Sequence, residues 1–343
     1  MNDLKKWQIR TDLAYDEAIK NNKPIDGFYQ EEKEINNVHV VKHIVNENIN
    51  EIINKAPGVY YTMDLKNIDF HDSKLCENVE KTLAIILTEI IKDKNLQNKK
   101  CLLVGLGNIN VTPDSLGPYV MDNVIVTKHL FDMDNISEGF SEVAAISPGV
   151  MGTTGLETFE VIKSVVDKIQ FDYLIVVDAL ASSSIERINK TIQITDTGIR
   201  PGSGVGNKRK EISLESLGIP VIAIGVPTIV DAVTISNDVI DYVLKYLNHM
   251  SKANEPKDKL IHTPQIDEQT KTNQKVNEEL FGEFGKLSEQ EKRMLIQDIL
   301  TPSGYNLMVT PKEIDIDIED LSKIIASGIN IALHQGIFKQ FIE

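Results

Sequence analysis

The chain reads as an α/β protein, a doubly wound, mostly parallel sheet with helices on both faces. Three observations lead there. Short continuous apolar runs recur at 101–104, 173–177 and 221–225, the pattern of strands buried on both faces. Segments with apolar residues at helical spacing accompany them, before the second run at 157–166 and after the third at 229–247. Strands that alternate with helices pair in parallel through crossover connections.

The remaining elements follow in order. Thr11 or Asp12 suits the N-cap of a short helix over 13–20. Alternating apolar residues predict a strand at 34–49, with His39 and His43 on one face. No carboxylate motif supports that histidine pair as a metal site. A second β-prone run covers 58–63, and Leu83, Ile86, Leu87 and Ile90 mark a helix over 72–92. A helix over 120–131, a strand at 143–146 and a small-residue loop at 147–155 come next. A short strand is expected at 191–194. Residues 250–284 are rich in lysine, acids and amides and read as a polar excursion. A helix over 286–300, a strand at 305–309, a short half-exposed strand or turn at 314–318 and a helix over 321–338 complete the chain.

Composition narrows the function. The chain has 343 residues, enough for one large or two ordinary domains, and an apolar fraction of 41% supports a sizeable core. A formal charge of −15 argues against direct nucleic-acid binding, which wants a basic face. Cys76 and Cys101 are far apart, and Cys101 lies in a predicted core strand, as in a reducing compartment. There is no apolar signal core in MNDLKKWQIRTD and no run of membrane-spanning length. A soluble cytoplasmic protein without a membrane partner is expected.

Two predicted strands lead into aspartates. After 101–104 come Gly105 and Gly107, a turn, and Asp114 behind Pro113; the run 173–177 ends at Asp178. In a parallel sheet both lie at the carboxyl edge, where open α/β sheets keep their sites. A pair of carboxylates there can divide labour, one as base toward water and one as acid toward a leaving group. Each aspartate equally suits a helix cap. The glycine-rich, basic stretch GIRPGSGVGNKRK has neither the P-loop order nor the dinucleotide fingerprint. Its Arg200, Lys208, Arg209 and Lys210 suit a substrate carboxylate or a solvated loop. Thr153 and Thr154 suit an oxyanion or a tight turn. No cofactor and no metal ligand set is expected.

The segments VGLGNINVTPDSLGP, SPGVMGTTGLET, VVDALASSS, GIRPGSGVGNKRKEIS and IPVIAIGVPT resemble the germination protease family, also called the spore protease family. The N-terminal IRTDLAYDEA resembles that family's propeptide junction, and the likeness spans most of the chain apart from 250–284. The resemblance implies an endopeptidase that starts the degradation of small acid-soluble spore proteins during germination. It implies a self-processing zymogen, a homotetramer, a location in the forespore and spore core, and a fold similar to hydrogenase maturation peptidases with extra peripheral elements. Matched motif by motif, the family's two catalytic aspartates fall on Asp114 and Asp178, in agreement with the strand ends.

Family substrates are cut after an acidic residue in a stretch like Thr-Glu-Phe/Ile-Ala-Ser-Glu. Thr11-Asp12-Leu13-Ala14-Tyr15-Asp16 has the same order, so self-cleavage is expected between Asp12 and Leu13. Residues 1–12 would then be a propeptide and 13–343 a single peptidase domain. Arg200 or Arg209 would hold the acidic residue before the cut, with Thr153 and Thr154 as further substrate contacts. A partial look-alike, Ser141-Glu142-Val143-Ala144-Ala145, is expected to be shielded in a core strand. Two other readings stand beside this one: a hydrogenase-maturation-like peptidase with a metal requirement, and a non-catalytic binding protein on the same fold.

Overall fold

A computed structural model describes residues 28–47, 55–133, 136, 138–201, 210–252, 278–279, 281–300 and 307–336. These residues divide between two compact units. The smaller takes in Ser183–Ile185 and Val230–Val309, and the larger the rest. In chain order the helices are α1 (Ser73–Asp93), α2 (Leu116–Asn123), α3 (Lys128–Phe131), α4 (Met151–Thr154), α5 (Thr158–Ile169), α6 (Leu214–Leu217), α7 (Ala232–Lys252), α8 (Glu283–Lys286), α9 (Glu289–Leu300) and α10 (Ile314–Leu333).

The sheet of the larger unit runs β1-β2-β3-β7-β8-β6-β4-β5. Its parallel part is β6 (Tyr173–Ser182), β4 (Cys101–Gly105) and β5 (Val143–Ile146), with Leu102 of β4 opposite Leu174 and Ala144. The other arm is antiparallel: β1 (Phe28–Ile35), β2 (Val38–Val45), β3 (Gly58–Asp64), β7 (Thr191–Thr195) and β8 (Val221–Asp231). This arm is the peripheral addition to a doubly wound parallel centre. The single strand expected at 34–49 is a hairpin. Asn36 and Asn37 turn it with φ of 48° and 61°, the left-handed pair that matches strand twist.

Helices cover both faces. On one, Val79, Leu83, Ile86 and Leu87 of α1 pack with Ile318, Leu321, Ile325 and Ile329 of α10 over Leu103, Ile175 and Ile224. Asp72 caps α1, accepting the Lys74 and Leu75 N–H groups at 2.9 and 3.3 Å. On the other face Phe159, Ile162 and Val166 of α5 bury Leu102, Val104, Leu174 and Val176. Each such aliphatic burial is worth about 1.5–3 kcal/mol against exposure.

Two further expectations change. The alternation of Ile and Asp at 314–318 starts α10, not a strand or turn. Ile314 and Ile318, four apart, are buried while Ile316 is exposed, and Asp315 and Asp317 suit the positive end of the helix dipole. The helix expected over 120–131 is interrupted at Val124, whose backbone is extended. Asn330 of α10 draws the chain out there, accepting the Ile125 N–H at 2.8 Å and donating to the Asn123 carbonyl at 3.4 Å.

In the smaller unit β9 (Met308–Val309) pairs antiparallel with Val230 and Asp231 at the end of β8. Asp231 accepts the Val233 N–H at 2.9 Å as α7 begins, and Arg293 of α9 donates to Thr234 at 2.6 Å. No described helix is long and apolar enough to cross a membrane. Cys76 and Cys101 are free thiols, and burial pushes the Cys101 thiol up to about 12, which leaves it protonated and inert.

Candidate active site

The last rung between β4 and β6 pairs Gly105 with Val177, and the Leu106 N–H then donates to the Val177 carbonyl at 2.8 Å. There β4 ends. β6 continues to Ser182, beyond the end expected at Asp178. Asp178 is therefore the first β6 residue past the end of its neighbour. It is buried, 6% exposed, with its Oδ1 accepting the Ala179 N–H at 3.0 Å. Strand alternation puts it on the face of Leu174 and Val176. Leu180, two residues on, lies over Gly225 of β8, where a Cβ would stand 2.7 Å from the Leu180 Cγ.

Asp114 reaches the same edge by a turn. Gly107 has φ of 114°, a conformation that favours glycine. The Asn108 N–H donates to the Asp114 carbonyl at 2.9 Å, and the Asp114 N–H donates to the Val111 carbonyl at 2.8 Å. The turn Thr112–Asp114 is one 3₁₀ turn, with Ser115 donating back to the Thr112 carbonyl at 2.8 Å. The half-buried Asp114 carboxylate rests against Gly107, its Oδ1 3.2 Å from where a Cβ would stand.

A third glycine joins these pieces. A Cβ on Gly117 would stand 2.5 Å from the Leu106 nitrogen and 2.7 Å from the Val177 carbonyl oxygen. The first turn of α2 thus lies directly on the Leu106–Val177 rung, and the 3₁₀ turn packs against β6. Asp114 and Asp178 flank one short stretch, Leu106–Gly107. Neither is a helix cap: the N-cap of α2 is Ser115, and Asp178 lies inside a strand. The two carboxylates thus lie at one sheet edge, Asp178 buried and Asp114 half-buried.

The other named residues are placed differently. Thr153 and Thr154 lie in the exposed one-turn helix α4 and donate to the Val150 carbonyl at 3.0 and 3.1 Å. Arg200, with its side chain 65% exposed, pairs with Glu211 at 2.8 Å beside the bridge Ile199–Ile212. Arg209 and Lys208, like Asp12 and Leu13, lie outside the described residues. Lys210 lies over the Phe159 ring, 5.3 Å from its centroid. His39 is exposed near Glu32 at 3.5 Å, while His43 is buried and stacked on Phe28. Among the described residues no three His, Cys, Asp or Glu side chains are grouped to hold a metal ion.

In the internal look-alike only Val143 is buried; Ser141, Glu142, Ala144 and Ala145 are half-buried, in and just before β5, the last strand in the sheet order. Val143 is fully buried in β5, Glu142 pairs with Lys128 at 3.2 Å, and the Ser141 N–H donates to His334 Nδ1 at 3.2 Å. One contributor escaped the sequence reading. Thr228 of β8, in the motif segment IPVIAIGVPT, donates its hydroxyl to the Pro113 carbonyl at 2.6 Å. Only the presence of a hydroxyl in an otherwise apolar strand could have pointed to it.

Comparison with known proteins supplies the class. The chain matches the family described as germination protease over residues 8–342. Germination proteases of Bacillus mycoides (strain KBAB4) and Bacillus cereus (strain G9842) are each 46% identical over 98% of this chain and 96% of their own length. That of Bacillus anthracis (strain CDC 684 / NRRL 3495) is 45% identical over the same shares. A crystal structure of a nickel–iron hydrogenase maturation protease from Thermococcus kodakarensis KOD1 aligns with 42% of this chain and 80% of its own, at 17% identity and a TM-score of 0.28. The molecule is an α/β peptidase, a hydrolase of peptide bonds. The chain belongs to the germination protease family.

Proposed function

We propose that this peptidase is made as a zymogen, removes its own residues 1–12 by cutting between Asp12 and Leu13, and then cleaves small acid-soluble spore proteins after an acidic residue during germination. Asp114 and Asp178 carry the reaction. One takes a proton from the attacking water while the other donates a proton to the leaving amine. The observation that supports this most directly is that both aspartates lie beside the Leu106–Val177 rung along the chain, Asp178 following Val177 and Asp114 packed on Gly107. Family membership supports the spore-germination role. The order Thr11-Asp12-Leu13-Ala14 supports the self-cleavage site, because it repeats the substrate pattern implied by the family resemblance.

Residues 13–343 form the mature enzyme in this reading, a homotetramer of the forespore and spore core without bound nucleic acid. Arg200 or Arg209 holds the acidic residue before the cut. Thr153 and Thr154 contact the substrate from the exposed α4 turn, where their hydroxyls are directed to the Val150 carbonyl.

The test is intact mass of wild type, Asp114→Asn and Asp178→Asn after incubation at mildly acidic pH. Loss of residues 1–12 also removes Trp7, the one tryptophan of the chain, so fluorescence reports it independently. Processing in wild type with none in either variant is expected. Normal processing in the variants would assign both aspartates a structural role.

A further inference from the structure

The turn that carries Asp114 is held by a residue from a different strand. Thr228 of β8 is fully buried, and its hydroxyl donates to the Pro113 carbonyl at 2.6 Å. The Thr228 carbonyl in turn accepts the Thr310 hydroxyl at 2.8 Å. One residue earlier, the Pro227 carbonyl accepts the Asn189 N–H at 2.7 Å, and the Asn189 side chain donates to Asp317 of α10 at 2.7 Å. α10 itself packs against the 3₁₀ turn. The stretch Pro227–Thr228 of β8 is thus anchored from two sides, and the Thr228 hydroxyl reaches to the residue before Asp114.

Geometry makes that contact consequential. The Pro113 carbonyl oxygen and the Asp114 N–H belong to one rigid peptide plane. Thr228 holds its oxygen, and the Val111 carbonyl holds its N–H at 2.8 Å. With both edges of that plane held, and the Asp114 carbonyl held in turn by the Asn108 N–H at 2.9 Å, the backbone that carries the Asp114 side chain is fixed on both sides. We propose that Thr228 is a positioning residue for the Asp114 carboxylate. The inference rests on the reading of Asp114 as catalytic. Thr228 is fully buried, away from any surface a substrate could reach, so its removal is expected to act on kcat and to spare KM.

The experiment incubates wild type, Thr228→Val, Thr228→Ser, Asp114→Asn and Asp178→Asn at mildly acidic pH, reads loss of residues 1–12 by intact mass, and then takes kcat per processed molecule. All act on a peptide containing Thr-Glu-Phe-Ala-Ser-Glu, with thermal unfolding recorded for each. Valine keeps the shape and removes the donor. Its kcat is expected to fall about tenfold to a hundredfold, the scale of a misplaced reacting group, with KM within about twofold of wild type. Serine keeps the donor and is expected to restore most of kcat. Wild-type kcat in a folded Thr228→Val, with both aspartate variants inactive, overturns the positioning role and leaves the aspartates standing. Activity in Asp114→Asn overturns the reading beneath it. Should Thr228→Val fail to fold, Thr310→Val, which frees the Thr228 carbonyl, is expected to lower kcat severalfold, and an unchanged kcat there overturns the inference.

Discussion

Gly107 and Asp114 lie backbone against backbone: the Asp114 carbonyl fills the space a Cβ on Gly107 would need, and the Asp114 Oδ1 is 3.2 Å from that point. No side chain can be added at Gly107 without moving the carboxylate. The glycine is a condition of the site as well as of the turn, because its φ of 114° is one that other residues rarely adopt.

Gly107→Ala is therefore expected to cost about 2 kcal/mol or more, from backbone strain and overlap together, and to abolish self-processing. Gly152 of α4 is the control. A Cβ there meets nothing within 4 Å, so Gly152→Ala is expected to leave stability unchanged or slightly raised. Denaturant midpoints and intact mass of both variants check this. Equal behaviour of the two would contradict it.

Stability is expected to fall with acid before the ordinary carboxylates titrate. Burial lowers His43 to about 4; Glu32 opposes that shift and Arg187 adds to it. His334 is also lowered by burial, and its Nδ1 accepts the Ser141 N–H, which a protonated ring cannot do. A histidine with a depressed folded pKa binds more protons when unfolded. Its contribution is full above about pH 6.5 and is lost as pH falls toward 4, by about 3 kcal/mol for His43. Thermal midpoints between pH 7 and pH 4.5 should decline in wild type and decline less in His43→Phe, which keeps the ring stacked on Phe28. Identical slopes would remove His43 as the source.

Recognition of the acidic residue before the cut is tested by charge removal. If Arg200 contacts that residue, Arg200→Gln should lower kcat/KM about tenfold for a peptide with Glu before the cut and leave the Gln peptide unchanged. Glu211→Gln releases Arg200 from its 2.8 Å partner and should shift the preference the other way. Unchanged preference in Arg200→Gln and a loss in Arg209→Gln would transfer the role to Arg209.

The proposed cleavage site carries Asp12 where the family's substrates carry a glutamate in the pattern implied by resemblance. If the chain cuts itself there, the shorter side chain should make the site a slow substrate. Asp12→Glu is expected to speed maturation severalfold at mildly acidic pH, read as the time course of loss of residues 1–12. A rate no faster than wild type would sink this explanation.

What could be read in advance was local. The runs 101–104, 173–177 and 221–225 are strands because every residue in them is apolar or small, and the buried strands confirm it. The helical period over 72–92 was legible, and α1 starts one residue later because Asp72 caps it. The hairpin at Asn36–Asn37 was legible and passed over, since both residues tolerate the left-handed turn. The start of α10 was legible too, in the four-residue spacing of Ile314 and Ile318. The break after α2 was not. It exists because Asn330, more than two hundred residues away, bonds the chain on both sides of Val124.

By itself the sequence determined the family, the parallel centre of the sheet, and the aspartates at its carboxyl edge, because motifs and strand periodicity are properties of neighbouring residues. The antiparallel arm, the run of β6 past Asp178, the contact of Gly117 with the Leu106–Val177 rung, and the reach of Thr228 to Pro113 were decided only by tertiary structure. Each depends on which backbones come within hydrogen-bond or van der Waals distance, and that is settled when the whole core packs.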